Sequence, residues 1–238
     1  MLMSFNVPLF YDLDLLAGGI KCPVCWNPQT HPHTLIIGTT GSGKTYFEKI
    51  MAAKISKHIP ESRLWVLDYK MVDFAFLSEL YFPYDKYEDG LLHFHAEFRS
   101  RLNGSSDRRP IFCLLEEYGA FITACDKKKA EEMKAIVAEI LFLGRSLSVF
   151  IVCGLQRAEA SYFQSGARDQ FSQILALGNI SATQKEMILP DHKAQMTLNC
   201  GRGQGYLLQD GKSLRRVQVP AVKDNLKLCV AIRQIATV

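Results

Sequence analysis

The chain has 238 residues, of which 48% are hydrophobic, 22% charged and 11% aromatic. That balance excludes a disordered or fibrous protein and leaves room for a sizeable core, in one large α/β domain with extensions or in two small domains. A formal net charge of +4 allows contact with a polyanion but is too small to argue for one.

Residues 1–33 read as an irregular, turn-rich extension with a hairpin, marked by Ala17-Gly18-Gly19, Pro23, Pro28 and Pro32. A short buried strand over 34–37 runs straight into GTTGSGKT at 38–45. The helix predicted over 46–58 places Phe47, Ile50, Met51 and Ile55 at helical spacing and stops before Pro60. A second strand over 64–67 ends at Asp68, a charged amphipathic helix covers 91–102, and a third strand over 111–115 ends in Glu116-Glu117. Ala130, Met133, Val137, Ile140 and Leu141 form the apolar stripe of a core-facing helix over 127–144. Strands over 149–152, closed by Gln156-Arg157, and over 174–177 follow, then a hairpin around Gly201, Gly203, Gly205 and Gly211, and a helix over 224–235. Strands alternating with helices predict an α/β fold with a mainly parallel sheet covered by helices on both faces. The expected segments are an extension (1–33), a motor-sized domain (34–220) and a closing helix (221–238).

Gly38-x-x-x-x-Gly43-Lys44-Thr45 fits the phosphate-binding P-loop, with the required strand before it and helix after it. In that pattern the backbone of Gly38, Thr39, Thr40, Gly41, Ser42 and Gly43 turns its N–H groups toward one point at the positive end of a helix. Lys44 then reaches the β- and γ-phosphates, and the Thr45 hydroxyl takes one Mg²⁺ position. IFCLLEE supplies acids at the end of a neighbouring strand, where ligands of such sheets sit. Glu116 is the candidate metal-side acid, acting through water, and Glu117 the candidate base. The plain alternatives are a glycine turn that merely caps a helix and two solvated acids at a strand end.

With these residues in hand, the chain resembles the motor domain of FtsK/SpoIIIE, among the FtsK/HerA-like DNA translocases and the related plasmid and conjugative coupling ATPases. HPHTLIIGTTGSGKT looks like that family's opening, LWVLDYKMVDF is similar to its Asp-Pro-Lys segment, and IFCLLEEYGAF falls at Walker B. GRSLSVFIVCGLQRA resembles the stretch that ends the fourth strand, and GRGQGYLL the late Gly-x-Gly strand entry. The resemblance implies a RecA-like P-loop NTPase of the ASCE type, with ATP and Mg²⁺ as cofactors. It also implies a homo-oligomeric, hexameric ring that moves DNA without sequence preference. By position, Gln156 is the polar sensor of the γ-phosphate. Arg145 is the arginine finger for a neighbouring subunit, with Arg157 as the other choice. Asp68 and Lys70 match the Asp-Pro-Lys segment, with Tyr69 in place of proline, and read as second-layer or interface residues. Glu116 stands where the family normally has Asp, which would shift the metal geometry and lower activity. No membrane-spanning region and no winged-helix reader of DNA sequence are recognised, so the expectation is a motor alone, working in plasmid or phage DNA transfer, packaging or segregation with a relaxase or membrane partner.

For DNA, Lys127, Lys128 and Lys129 and the stretch from Arg157 to Arg168 are expected in loops facing a central channel, where cations track phosphates; a solvated helix start and a surface loop are the alternatives. Cys22-Pro-Val-Cys25 with His31 and His33 allows a zinc site, but His-x-His lacks the usual ligand spacing, and a hairpin with buried thiols is the default. His93 and His95 lie two apart on a predicted helix and read as surface residues. The seven scattered cysteines suit reduced cytosolic thiols. The opening MLMSFNVPLFYDLDLL lacks a basic n-region and carries Asp12 and Asp14, so it reads poorly as a signal peptide. No apolar run approaches the roughly 18 residues that span a bilayer. A cytoplasmic protein, peripheral to a membrane only through a partner, is expected. Competing functions are a P-loop kinase of a small molecule and a catalytically weak, nucleotide-dependent interaction module.

Overall fold

The computed structural model describes residues 5–196 and 199–237. Residues 1–4 of the predicted extension, 197–198 of the predicted motor segment and 238 of the closing segment lie outside the described residues. In chain order the elements are β1 (Val7–Asp12), α1 (Leu13–Ala17), β2 (Pro23–Trp26), β3 (Thr34–Gly38), α2 (Lys44–His58), β4 (Arg63–Asp68), β5 (Tyr81–Pro83), α3 (Tyr87–Leu102), β6 (Ile111–Glu116), α4 (Tyr118–Ala124), α5 (Lys127–Leu143), β7 (Val149–Leu155), β8 (Gln173–Leu177), α6 (Ala182–Ile188), β9 (Gln204–Gln209), β10 (Ser213–Gln218) and α7 (Asn225–Ile235).

The strands form one sheet in the order β2-β1-β10-β9-β8-β3-β7-β6-β4-β5. From β8 to β5 the pairing is parallel, with β3 between β8 and β7 and β6 between β7 and β4. Every residue of β3, β6 and β7 is buried, as strands covered on both faces must be. Alternate side chains feed two cores. Leu35, Ile37, Leu67, Cys113 and Ile151 share one with α3, α4 and α5, and Ile36, Val66, Phe112 and Phe150 share the other with α2 and α7. Parallel pairing also brings the C-terminal ends of β3, β4, β6 and β7 to one edge of the sheet, and the loops that leave them meet there.

The predicted extension contributes strands to this sheet. β1 and β2 pair as an antiparallel hairpin, and β1 continues onto β10. The late glycine-rich segment is the β9–β10 hairpin, and β9 runs antiparallel to β8. The sheet therefore carries four antiparallel strands beside its parallel block, more than strand–helix alternation suggested. Lys127, Lys128 and Lys129 are the first turn of α5, not a loop, and Asp126 caps them by accepting the Lys129 N–H at 2.9 Å.

The two histidines of the candidate zinc set have other partners, while Cys22 and Cys25 are free, half-buried thiols. His31 pairs with Asp210 at 3.1 Å, while the buried His33 accepts the Ile151 N–H on Nδ1 at 3.0 Å. Among the described residues, no group of three or more His, Cys, Asp or Glu side chains is arranged to hold a metal ion. His93 and His95 point apart as expected but are both engaged: the Trp65 indole N–H donates to His93 Nδ1 at 3.0 Å, and His95 Nε2 lies 2.7 Å from Glu139. No helix among the described residues is long and apolar enough to cross a membrane.

Candidate functional site

β3 ends at Gly38, and the chain turns through Gly41 and Gly43, both in the left-handed region at φ 83° and 99°, into the first turn of α2. Gly43 offers no side chain to cap that helix, so the first N–H groups of α2 stay directed at the loop's concavity. Gly38 is required for close packing, since a Cβ there would lie 2.4 Å from Ser42 Oγ. The Gly201–Gly203 turn clasps the loop from the other side, with the Gly203 N–H donating to the Ser42 carbonyl at 3.0 Å.

The side chains of this edge converge on Lys44. Its Nζ lies 3.1 Å from Glu117 Oε1 and 3.7 Å from both Glu116 Oε1 and Glu48 Oε1. Glu116, the last residue of β6, is fully buried, and Glu117 follows it in a left-handed backbone conformation at φ 52°. Gln156, just past β7, donates Nε2–H to Glu117 Oε1 at 3.0 Å. Lys70 Nζ donates to Glu116 Oε1 at 3.1 Å and also to Glu117. Lys70 is held in place by Asp68, a completely buried carboxylate at the end of β4. Its Oδ1 accepts the N–H groups of Lys70 at 3.2 Å and Met71 at 3.1 Å, and its Oδ2 accepts the N–H of Phe74 at 3.2 Å and the hydroxyl of Tyr81 at 3.3 Å.

The charges are strongly coupled. Burial alone would lower the Lys44 pKa, but Glu48, Glu117 and Glu116 hold it above the usual lysine value. Burial, reinforced by the nearby Glu48 carboxylate, pushes Glu116 up to about 7. Burial also acts to raise Glu117, yet Lys44, Lys70 and Gln156 outweigh it and hold that carboxyl below its ordinary value. The two adjacent acids are thereby pushed apart in proton affinity, as happens where one carboxyl is desolvated and its neighbour is hydrogen-bonded.

A triphosphate with its magnesium fits this donor set. Ser42 Oγ and one oxygen of Glu116 are buried without a hydrogen-bond partner, and Lys44 Nζ is buried with only carboxylates beside it. The P-loop, Thr45, Lys70, Glu117 and Gln156 line a cavity of about 770 Å³, a size that suits a nucleotide. Thr45 lines this cavity and Glu116 lies buried behind it, 3.7 Å from Lys44 Nζ, and these two are the residues that could hold the metal.

Other expected site residues lie elsewhere. Arg145 is exposed in the turn that precedes β7, while Gln156 follows the far end of that seven-residue strand, about 23 Å away at the usual rise. Arg145 is therefore remote from the site of its own chain. Arg157 is exposed beside a second cavity of about 540 Å³ that also touches Lys70, Glu117, Gln156 and Tyr162, whereas Arg168 lines a different one. Lys129 pairs with Glu88 at 2.7 Å and Lys128 lies 4.0 Å from Glu132, and both Lys127 and Lys128 are exposed.

Two site residues are under-read in the sequence. Lys70 lies at the centre of the site, between both acids. Glu48 lies at the edge of the apolar stripe of α2, three residues before Met51 and seven before Ile55, and it is buried one turn after Lys44. It fits because a Cβ on Gly154 of β7 would come within 2.1 Å of its Oε1; an acid four residues after the P-loop lysine, with a glycine in the adjacent strand, is the signal that was present.

The FtsK/SpoIIIE family model matches residues 12–81. The Bacillus subtilis FtsK domain-containing protein YdcQ is 30% identical over 203 residues, which cover 77% of this chain and 42% of that relative. The chain therefore spans less than half the length of this relative. Among solved structures, the pCW3 conjugation coupling protein TcpA in its monomer form with ATPγS superposes with a TM-score of 0.74 at 16% identity, covering 95% of this chain and 68% of that one. The cytoplasmic domain of the Thermomonospora curvata type VII secretion ATPase EccC gives a TM-score of 0.67 at 22% identity, covering 98% of this chain and 31% of that one. These likenesses identify the fold as the RecA-like α/β fold of P-loop ATPases.

Proposed function

Because the chain carries a domain of the FtsK/SpoIIIE family, we propose that it is an ATP-driven DNA translocase, working as a ring of identical subunits with ATP sites where subunits meet. The observation that carries this reading is the meeting of the P-loop, Lys44, Glu116, Glu117 and Gln156 at the ends of three adjacent parallel strands. The loop's N–H groups and Lys44 bind the phosphates. Mg²⁺, when bound, would neutralise charge on them; Thr45 and, through water, Glu116 are the residues that would hold it. Glu117 accepts the proton of the attacking water. Lys70 and Gln156 fix its carboxylate in direction, so the base is aimed before substrate arrives.

Gln156 begins the segment that carries Arg157, so the residue that senses the phosphate and the candidate DNA contact are neighbours in sequence. Lys127 and Lys128 supply further cations for the DNA backbone. Arg145, remote from its own site, would serve the neighbouring subunit. ATP turnover measured with and without duplex DNA tests the reading. DNA is expected to stimulate the wild type, and Glu117→Gln should lower kcat by about 10²- to 10⁴-fold. Full activity in Glu117→Gln, no response to DNA, or transfer of phosphate to a small acceptor in place of water would each overturn it.

A further inference from the structure

The cavity of about 540 Å³ beside Arg157 shares a wall with the nucleotide cavity, because Lys70, Glu117 and Gln156 line both. Lys70 and Gln156 each donate to Glu117 Oε1, so the wall is a partition one side chain thick, closed by two hydrogen bonds. On its far side α4 contributes only short side chains, Ala120, Thr123 and Ala124, all of them exposed. Tyr162 packs on Gly119 of the same helix, where a Cβ would come within 2.6 Å of the ring. The space is therefore open to solvent and is kept free by the smallness of one helix face. Arg157 lines it as an exposed guanidinium, and among the described residues no carboxylate pairs with it. Lys70 is 40% exposed although its ammonium lies between two acids.

Hydrolysis at Lys44 and Glu117 would leave inorganic phosphate against this partition, with ADP still in the P-loop on the other side. A phosphate dianion beside a carboxylate is repelled, and the nearest unpaired cation across the partition is Arg157, one residue after Gln156. A guanidinium holds phosphate oxygens through a fork of N–H donors. We propose that the second cavity is the exit for inorganic phosphate, with Arg157 as the residue that receives it. The passage opens when Lys70 and Gln156 release Glu117. This rests on the reading of the first cavity as a site of ATP hydrolysis and adds where one product leaves. It also sends that product past the segment proposed to contact DNA.

Two measurements on the full chain test it. In the first, phosphate cleaved from ATP, read after acid quench, is compared with free phosphate, read by a fluorescent phosphate sensor, in the presence of duplex DNA. Ala120→Trp fills the second cavity from an exposed helix position, and a melting curve checks its fold. It should bind ATP and cleave the first equivalent at the wild-type rate, while free phosphate appears about tenfold later or more, so that a burst of bound phosphate accumulates. In the second, radiolabelled inorganic phosphate is bound to the ADP-loaded protein without DNA, and Arg157→Gln should weaken it by about tenfold. If the wild type cleaves no ATP, the hydrolysis reading itself fails. If cleavage occurs but free phosphate keeps pace with it in Ala120→Trp, or Arg157→Gln binds phosphate as the wild type does, the hydrolysis site stands and the exit is overturned. Cleavage slowed in step with release would overturn the exit as well, because the second cavity would then serve the chemical step.

Discussion

Lys70 reaches Glu116 and Glu117 because Asp68 folds the backbone beneath it. Three backbone bonds to one buried carboxylate set the turn from residue 68 to 74, including the left-handed Met71 at φ 58°. The turn leaves the Lys70 ammonium between two acids that would otherwise repel each other at close range. In the proposed mechanism this lysine positions Glu117. Lys70→Gln should therefore lower kcat roughly tenfold while KM stays within about a factor of two, and Lys70→Arg should recover much of the loss. Steady-state kinetics alongside a melting curve separate this from a folding defect. Equal losses in Lys70→Gln and Lys70→Arg, or a change in KM alone, would count against positioning.

At the scale of elements, His33 joins the entry of β3 to β7 by accepting the Ile151 N–H. Burial lowers its pKa from 6.5 to about 3. Below 6.5 the unfolded chain takes up a proton that the folded chain refuses, so stability falls as pH drops from 6.5 toward 3. Between pH 6.5 and 5 the loss from this residue alone is about 2 kcal/mol. His33 has a left-handed backbone at φ 57°, which asparagine tolerates, and an asparagine carbonyl can accept the same bond. His33→Asn should flatten the acid limb of stability, as read by urea unfolding at pH 7 and pH 5. An unchanged slope would place the acid sensitivity elsewhere.

The elements that sequence periodicity reveals are those long enough to show it: β3 with its loop and α2, then β4, β6, α5 and β7. β5 spans three residues, α4 starts directly after the paired acids, and α6 is the mostly polar ATQKEMI, so none offers a period to read. The site follows the same division. The P-loop and the paired acids sit in contiguous motifs, whereas Glu48 with Gly154 and Lys70 with Glu117 meet only when separate strands are paired.

At the scale of the whole molecule, the placement of Arg145 makes a prediction about assembly. Lys44→Ala removes a subunit's own phosphate grip, and Arg145→Ala removes what it would lend to a neighbour. Each variant alone should be inactive, with the finger worth about 10³ or more in rate. Mixed and reassembled, they should regain part of the activity, because some interfaces then pair an intact Lys44 with an intact Arg145. Turnover across a series of mixing ratios checks this, and a flat, inactive series would argue against sites shared between subunits.

β7 gives that arrangement a further property. It is buried along all seven residues, with Gln156 just beyond one end and Arg145 just before the other. Densely packed strands compress little, so in the proposed ring this one would act as a strut with its two ends at different active sites. In the proposed ring, each strut would link its own phosphate to the next subunit's, and the set of them would form a closed mechanical circuit. The order in which sites fire would then be carried by the stiffest part of the fold.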